Sequence, residues 1–159
     1  MPEVAFSDGA VDAGEGARLA QAMRDEIAVM YDGLDLDGDT MPAAGPAELG
    51  PPGGAFIVGR VHGGPVCCGG IKRLDEHRCE IKKMYVVPEW RGRGIARILL
   101  HALEAKARSM GYRVARLDTG PKQRNAQGLY EDEGYTEIPD FNGNPVAVFW
   151  GEKLLVSPD

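Results

Sequence analysis

Met84-Tyr85-Val86-Val87-Pro88-Glu89-Trp90-Arg91-Gly92-Arg93-Gly94-Ile95-Ala96 is the stretch on which the reading of this chain turns. Its first four residues read as the end of a strand, which Pro88 stops because it lacks the N–H a ladder needs. A tight, glycine-containing turn follows, and an apolar stripe at helical spacing begins near Gly94. A strand, a short turn and a helix start in that order aim unpaired backbone N–H groups and the positive end of the helix dipole at one spot. Such a spot binds phosphate. Gly92 and Gly94 let the backbone approach closely, and Arg91, Arg93 and Arg97 add positive charge. The plainer alternative is an ordinary strand-turn-helix carrying exposed arginines. Two other phosphate motifs fail on the same residues. A dinucleotide G-x-G-x-x-G needs glycine where Arg97 stands, and the G-x-x-x-x-G-K-[ST] loop occurs nowhere.

Outward from this centre, the Gly94 to Met110 segment spaces Ile95, Ile98, Leu99, Ala102 and Leu103 as one helix face and closes at Gly111. Upstream lie three strand-like runs, Ala55 to Val61, Val66 to Leu74 and Arg78 to Val87, parted by the turn signals of residues 62–65 and 75–77. Connections so short predict antiparallel neighbours. Before them, Leu19, Met23, Ile27 and Met30 predict an amphipathic helix from about Gly16 to Tyr31, preceded by a short apolar start at Val4 to Phe6. Residues 38–54 hold too many glycines and prolines for either element and predict a long loop, either a functional segment or plain disorder. Downstream, a strand is expected over Arg113 to Thr119, a helix over Gln123 to Glu133 ending at Gly134, and a strand over Val146 to Leu155. Strands first and helix-connected strands later predict a mixed sheet covered by helices.

Composition sets the bounds. Length points to one domain, residues 1–159, and 43% hydrophobic with 26% charged residues suits one soluble core. The balance of 18 basic against 24 acidic residues, a formal charge of −6, argues against nucleic-acid binding, which needs a cationic footprint. No apolar run is long enough to span a membrane or act as a secretory leader, so a cytoplasmic protein without a membrane partner is expected. Cys67, Cys68 and Cys79 fit neither a disulfide framework nor a paired metal motif and are expected as reduced strand residues. Asp35, Asp37 and Asp39 imitate the opening of a calcium loop, but Thr40 stands where the glycine should be, so a solvated acidic loop is expected. With His62, His77 and His101 in turns or on a polar helix face, no metal is expected.

Arg91-Gly92-Arg93-Gly94-Ile95-Ala96 meets [QR]-x-x-G-x-[GA], the acyl-CoA-binding pattern of the GNAT N-acyltransferase superfamily, which the chain resembles over about residues 55–155. A second segment, Asn125-Ala126-Gln127-Gly128-Leu129-Tyr130 leading to Gly134-Tyr135, resembles that family's later motif, an asparagine followed by a small residue and a tyrosine, and its Gly-aromatic step. The resemblance implies an α/β fold of GNAT type, a splayed mixed β-sheet flanked by helices. It also implies acetyl-CoA as acyl donor and an amine acceptor, either a small molecule or a peptide, acted on by a monomer or homodimer.

Carried over residue by residue, Met84 and Val86 would offer backbone groups to the pantetheine arm, with the Met84 N–H also placed to polarise the thioester carbonyl. The amides of Arg91, Gly92, Arg93, Gly94, Ile95 and Ala96 would take the diphosphate, and Asn125 would bond the cofactor arm. Arg93, Lys122 or Arg124 would meet the outer phosphate. Transfer to an amine needs proton removal from the nucleophile and a proton for the leaving thiolate. Tyr130 resembles the family's donor to sulfur, or is a packed core tyrosine. Glu80 lies four positions before Met84, hence on the same strand face by a period of two, and is the candidate base, acting through water; its alternative is a solvated strand carboxylate. Cys79, on the opposite face with no histidine beside it, makes a covalent route the weaker mechanism. Asp118 and Thr119 end a strand near the cleft, and acceptor choice is expected to rest with the first helix, the loop after it and the turn of residues 140–145. Acids near that loop favour a cationic amine. The competing function is a CoA-binding sensor or interaction module that has lost turnover.

Overall fold

The computed structural model describes residues 3–155. Seven strands among the described residues form one mixed sheet: β1 (Ala5–Asp8), β2 (Ala55–Val61), β3 (Gly64–Arg73), β4 (Arg78–Val86), β5 (Val114–Thr119), β6 (Thr136–Glu137) and β7 (Phe149–Leu154), in the order β1-β2-β3-β4-β5-β7-β6. The first four pair antiparallel through short turns, as their connections predict. β4 and β5 run parallel and are joined through α2 (Ile95–Ser109), a crossover helix of the kind parallel neighbours require. α1 (Gly14–Met30) and α3 (Arg124–Asp132) complete the set. The two-residue β6 is too short to leave a periodic signal and was not expected.

Helices cover both faces. On one, Leu99, Leu100 and Leu103 of α2 pack with Cys67, Ile71, Cys79 and Ile81 of the central strands. On the other, Leu19 and Ala20 of α1 pack with Phe56, Val58, Cys68 and Tyr85. Part of the glycine excess serves this packing. A Cβ on Gly69 would lie 2.6 Å from Leu103, and one on Gly70 would lie 3.0 Å from Leu49, so consecutive glycines in β3 let both layers press on the sheet. The residue 38–54 segment is a packed cover on the α1 side. Ala44 and Leu49 are buried in that core, and Lys72 Nζ donates to the Ala43 carbonyl at 2.7 Å. Nor are the acids before it simply solvated. Asp37 pairs with Lys83 and Arg24 at 3.2 and 3.3 Å, which corrects the expectation of a freely hydrated acidic loop.

Two irregularities in β4 open the sheet. Cys68 stands opposite Tyr85 but Gly70 opposite Lys82, so two β4 residues, Lys83 and Met84, face the single Gly69. This is a β-bulge, which bends and overtwists its strand. Lys83 carries it in the left-handed region, with φ of 55°. The parallel ladder with β5 covers only Arg78–Glu80 against Val114–Arg116 and ends just before the bulge. Past that point the strands part.

Candidate active site

Two cavities meet in this parting. The first, about 440 Å³, runs from Met84 and Val86 past the Arg91–Ala96 turn to Asn125 and Tyr130 on α3. The second, about 110 Å³, lies on the α1 side between Lys82 and Lys83 of β4 and Asp118 and Thr119 of β5. Met84, Tyr130, Met23, Ile27 and Gln123 line both.

The glycine turn joins β4 to α2. After a single 3-10 turn at Pro88–Trp90, Gly92 and Gly94 take φ of 75° and 81°, values that L side chains resist, and Gly94 leads directly into α2. No side chain caps that helix start and no acid sits in its first turn, so its amides and dipole are left for an anion. A Cβ at Gly92 would meet nothing within 4 Å, so the turn faces open space. Ile95 is buried beneath it and anchors the helix in the core.

The arginine side chains have other work. Arg91 makes two bonds to Glu26 of α1, at 2.7 and 2.6 Å, donates from Nε to the Val86 carbonyl at 2.9 Å, and lies over the Tyr85 ring. It therefore ties the turn to α1, and its guanidinium holds the Glu26 carboxyl below the usual carboxylate range. The Val86 carbonyl already has this one donor. Arg93 stacks over Trp90, and Lys122 Nζ donates to the Met30 carbonyl at the end of α1. Asn125 stays exposed on the cleft wall. The Arg124 side chain, named for the outer phosphate, lies outside the described residues.

At the meeting of the cavities, Tyr130 is buried, donates to Met84 Sδ at 3.8 Å and packs edge-on against Tyr135. Burial pushes its phenol above the ordinary value, so it keeps its proton at neutral pH. Met84 has no register partner on β3 or β5 among the described residues. Glu80 is 1% exposed. Its Oε2 accepts from Asn142 at 2.8 Å and from Lys82 at 3.0 Å, while Oε1 is buried without a partner.

The bulge corrects one step of the sequence reading. Cys79 and Ile81 belong to the α2-side core, Met84 packs against that same core, and Tyr85 lies in the α1-side core. Glu80, between Cys79 and Ile81, thus faces the α1 side, opposite Met84, because the extra residue shifts the period of two. Lys82 and Asp118, not Glu80 itself, form the cavity wall. Two residues of the site went unread. Glu26 as the Arg91 partner and Lys82 as the Glu80 partner had no sequence signal, whereas Asn142 and Asn144 fall in the turn that was marked for acceptor choice. The cysteines are all buried, and burial pushes their thiols up to about 11 for Cys67 and about 12 for Cys68 and Cys79, far from thiolate reactivity.

A parallel pair that splays beside a glycine turn at an uncapped helix start is the arrangement of the acyl-CoA N-acyltransferases. Residues 21–135 match the Acetyltransferase (GNAT) family, and the chain belongs to that family. It is 31% identical to an IAA acetyltransferase of Azospirillum brasilense, over 83% of this chain and 93% of that protein. It is 37% identical to the uncharacterized N-acetyltransferase YjgM of Escherichia coli, over 55% of this chain and 54% of that protein, so that match spans about half the relative's length. Among solved structures, a proposed acyl-CoA N-acyltransferase of Klebsiella pneumoniae is 29% identical with a TM-score of 0.75, covering 96% of this chain and 98% of the other. A GNAT acetyltransferase of Elizabethkingia anophelis, solved with acetyl-CoA bound, shares the fold at 14% identity and a TM-score of 0.65 over 95% of this chain and 97% of the other.

Proposed function

We propose that this protein transfers an acetyl group from acetyl-CoA to a primary amine by direct attack, with both substrates bound at once. The observation that carries this reading is the meeting of the two cavities at Met84 and Tyr130, one entered past an anion-binding turn and the other lined by strand-end polar groups. Acetyl-CoA brings an acyl group activated as a thioester. The Arg91–Ala96 backbone holds its diphosphate, Asn125 bonds its arm, and Arg91 keeps the turn in place through Glu26 and Val86. The Met84 N–H, in the bulge, polarises the acyl carbonyl.

Transfer forms a C–N bond and breaks a C–S bond, so the amine loses a proton and the sulfur gains one. Glu80 receives the first through water, since it does not itself line the cavity and is joined to it through Lys82, which does. Tyr130 donates to the second; its O–H already points at a sulfur, that of Met84. Calorimetric titration with acetyl-CoA, followed by thiol release over an amine panel, tests the proposal. Tight binding with thiol release in the presence of an amine is expected. Tight binding with no release for any amine would instead make the chain a CoA-binding sensor.

A further inference from the structure

The acceptor cavity has a polarity that narrows its ligand, an inference that rests on the acetyltransferase reading. Met23, Ile27, Leu34, Leu36, Met41 and Val146 give it apolar walls. Two cations also line it, but neither is free: Lys82 Nζ is held by Glu80 and Lys83 Nζ by Asp37. The remaining charge is Asp118. Its Oδ2 accepts from the side-chain amides of Asn142 and Asn144, at 2.6 and 3.1 Å, and it has no ion-pair partner among the described residues. Thr119, the next residue on β5, is 4% exposed, lines the same cavity, and leaves its Oγ1 buried without a partner. A buried polar atom left unsatisfied in this way calls for a ligand or a water.

We infer that the acceptor is a monoamine with an apolar body, an alkyl or arylalkyl amine, whose ammonium group is taken by Asp118 and the Thr119 hydroxyl. A carboxylate without an ion-pair partner and a hydroxyl without a partner, both lining one small cavity, suit a single ammonium, which has three N–H groups to give. Both lysines being engaged, no cation among the described residues that line the cavity is left to hold a carboxylate, so a free amino acid is a poor fit. Polyamines and aminoglycosides would set further charges or hydroxyls against methionine and leucine side chains, where each loses hydration without a partner. This narrows the cationic preference expected from sequence: the acids that suggested it are partly spent on Lys83 and Arg24, and the selecting carboxylate is Asp118.

The test compares 2-phenylethylamine, hexylamine, spermidine, kanamycin and leucine on the CoA-loaded protein, by amine binding in calorimetry and by thiol release with acetyl-CoA. The first two are expected to bind and react with at least tenfold higher kcat/KM than the others. Asp118→Asn is expected to raise their KM at least tenfold while kcat stays within about threefold and CoA affinity does not change. Thr119→Val serves as a second variant should Asp118→Asn melt early, with a KM increase of about threefold to tenfold. Preference for spermidine, kanamycin or leucine, or wild-type KM in both folded variants, overturns the inference, as does the absence of any monoamine binding. Monoamine binding that Asp118→Asn weakens, without thiol release from any amine, sustains the inference and overturns the acetyltransferase reading.

Discussion

Replacing Tyr130 by phenylalanine separates catalysis from packing in a single atom. The hydroxyl to be removed bonds a thioether sulfur at 3.8 Å, a weak acceptor, while the ring that stays keeps its edge-on contact with Tyr135 at 6.0 Å between centroids. A lost hydrogen bond of this kind is worth about 1 kcal/mol or less. For a chain of this size that moves the melting temperature by no more than about 2–4 °C. If the phenol protonates the departing sulfur, turnover falls by ~10² or more, which is about 2.7 kcal/mol on the barrier. The activity loss is therefore expected to exceed the stability loss more than twofold in free energy, with CoA affinity within about threefold of wild type. Because burial raises the Tyr130 phenol above its ordinary value, no falling limb from this group is expected in the kcat profile below about pH 10. Thiol release under saturating acetyl-CoA and acceptor, a melting curve and a CoA titration measure the three quantities. Turnover within about twofold of wild type, in a variant that folds and binds CoA normally, would refute the assignment.

Gly92→Ala places a side chain at φ of 75° in open space, so its stability cost is that of the backbone alone, roughly 1 kcal/mol. Calorimetry should show CoA binding weakened by at least about fivefold; unchanged affinity would move the diphosphate away from this turn. Gly54→Ala is expected to be far worse. Its Cβ would collide with the Glu48 carbonyl and lie 2.8 Å from that of Ile71, two backbone atoms that cannot step aside, so a loss above ~3 kcal/mol is expected in urea unfolding. Alkaline stability follows from the three thiols. Their folded values are raised, so the stabilisation is complete below the ordinary value of 9.0 and is lost as pH rises through the folded values of about 11 and 12. Each thiol contributes about 1.4 kcal/mol per pH unit, so unfolding free energy should fall by roughly 4 kcal/mol per unit between about pH 9 and 10, below the range in which the buried tyrosines, also raised, begin to add. Cys68→Ala should remove about a third of the slope, and an unchanged slope would show that the thiols do not control it.

Much of this fold could be read because its punctuation is strong. Gly111 and Gly134 end helices with positive φ, as their positions suggested, and the turns at residues 62–65 and 75–77 bound strands whose pairing the structure bears out. Where sequence reading stopped short, the cause was tertiary. Nothing local in residues 38–54 reveals that Leu49 will seat on Gly70, because the space for it is made by a glycine some twenty positions later. The same holds for Glu26 and Arg91, which meet only when α1 lies across the sheet. The pairing of Gly69 with Gly70 was the available signal for close layer packing, since glycine inside a strand marks a bulge or a near neighbour.

The bulge at Lys83 is the deepest of these cases. A left-handed lysine has no sequence signature, and period-two counting carried across it put Glu80 and Met84 on one face when they lie on two. Yet the displaced geometry serves direct transfer better than the counted one. An amine adds to a thioester through one face of the planar carbonyl, and the sulfur leaves from the tetrahedral intermediate that forms, so the base that relieves the amine and the acid that meets the sulfur must reach different groups on the same carbon. With a regular strand, Glu80 would share the face of Met84 and Tyr130. With the bulge, Tyr130 and Met84 lie on the α2 side while Glu80 and Lys82 lie on the α1 side, and Met84, Tyr130, Lys82 and Asp118 of β5 meet around the gap between β4 and β5. Restoring the period by deleting Lys83 should therefore close that gap, and abolish transfer even in a protein that still binds CoA.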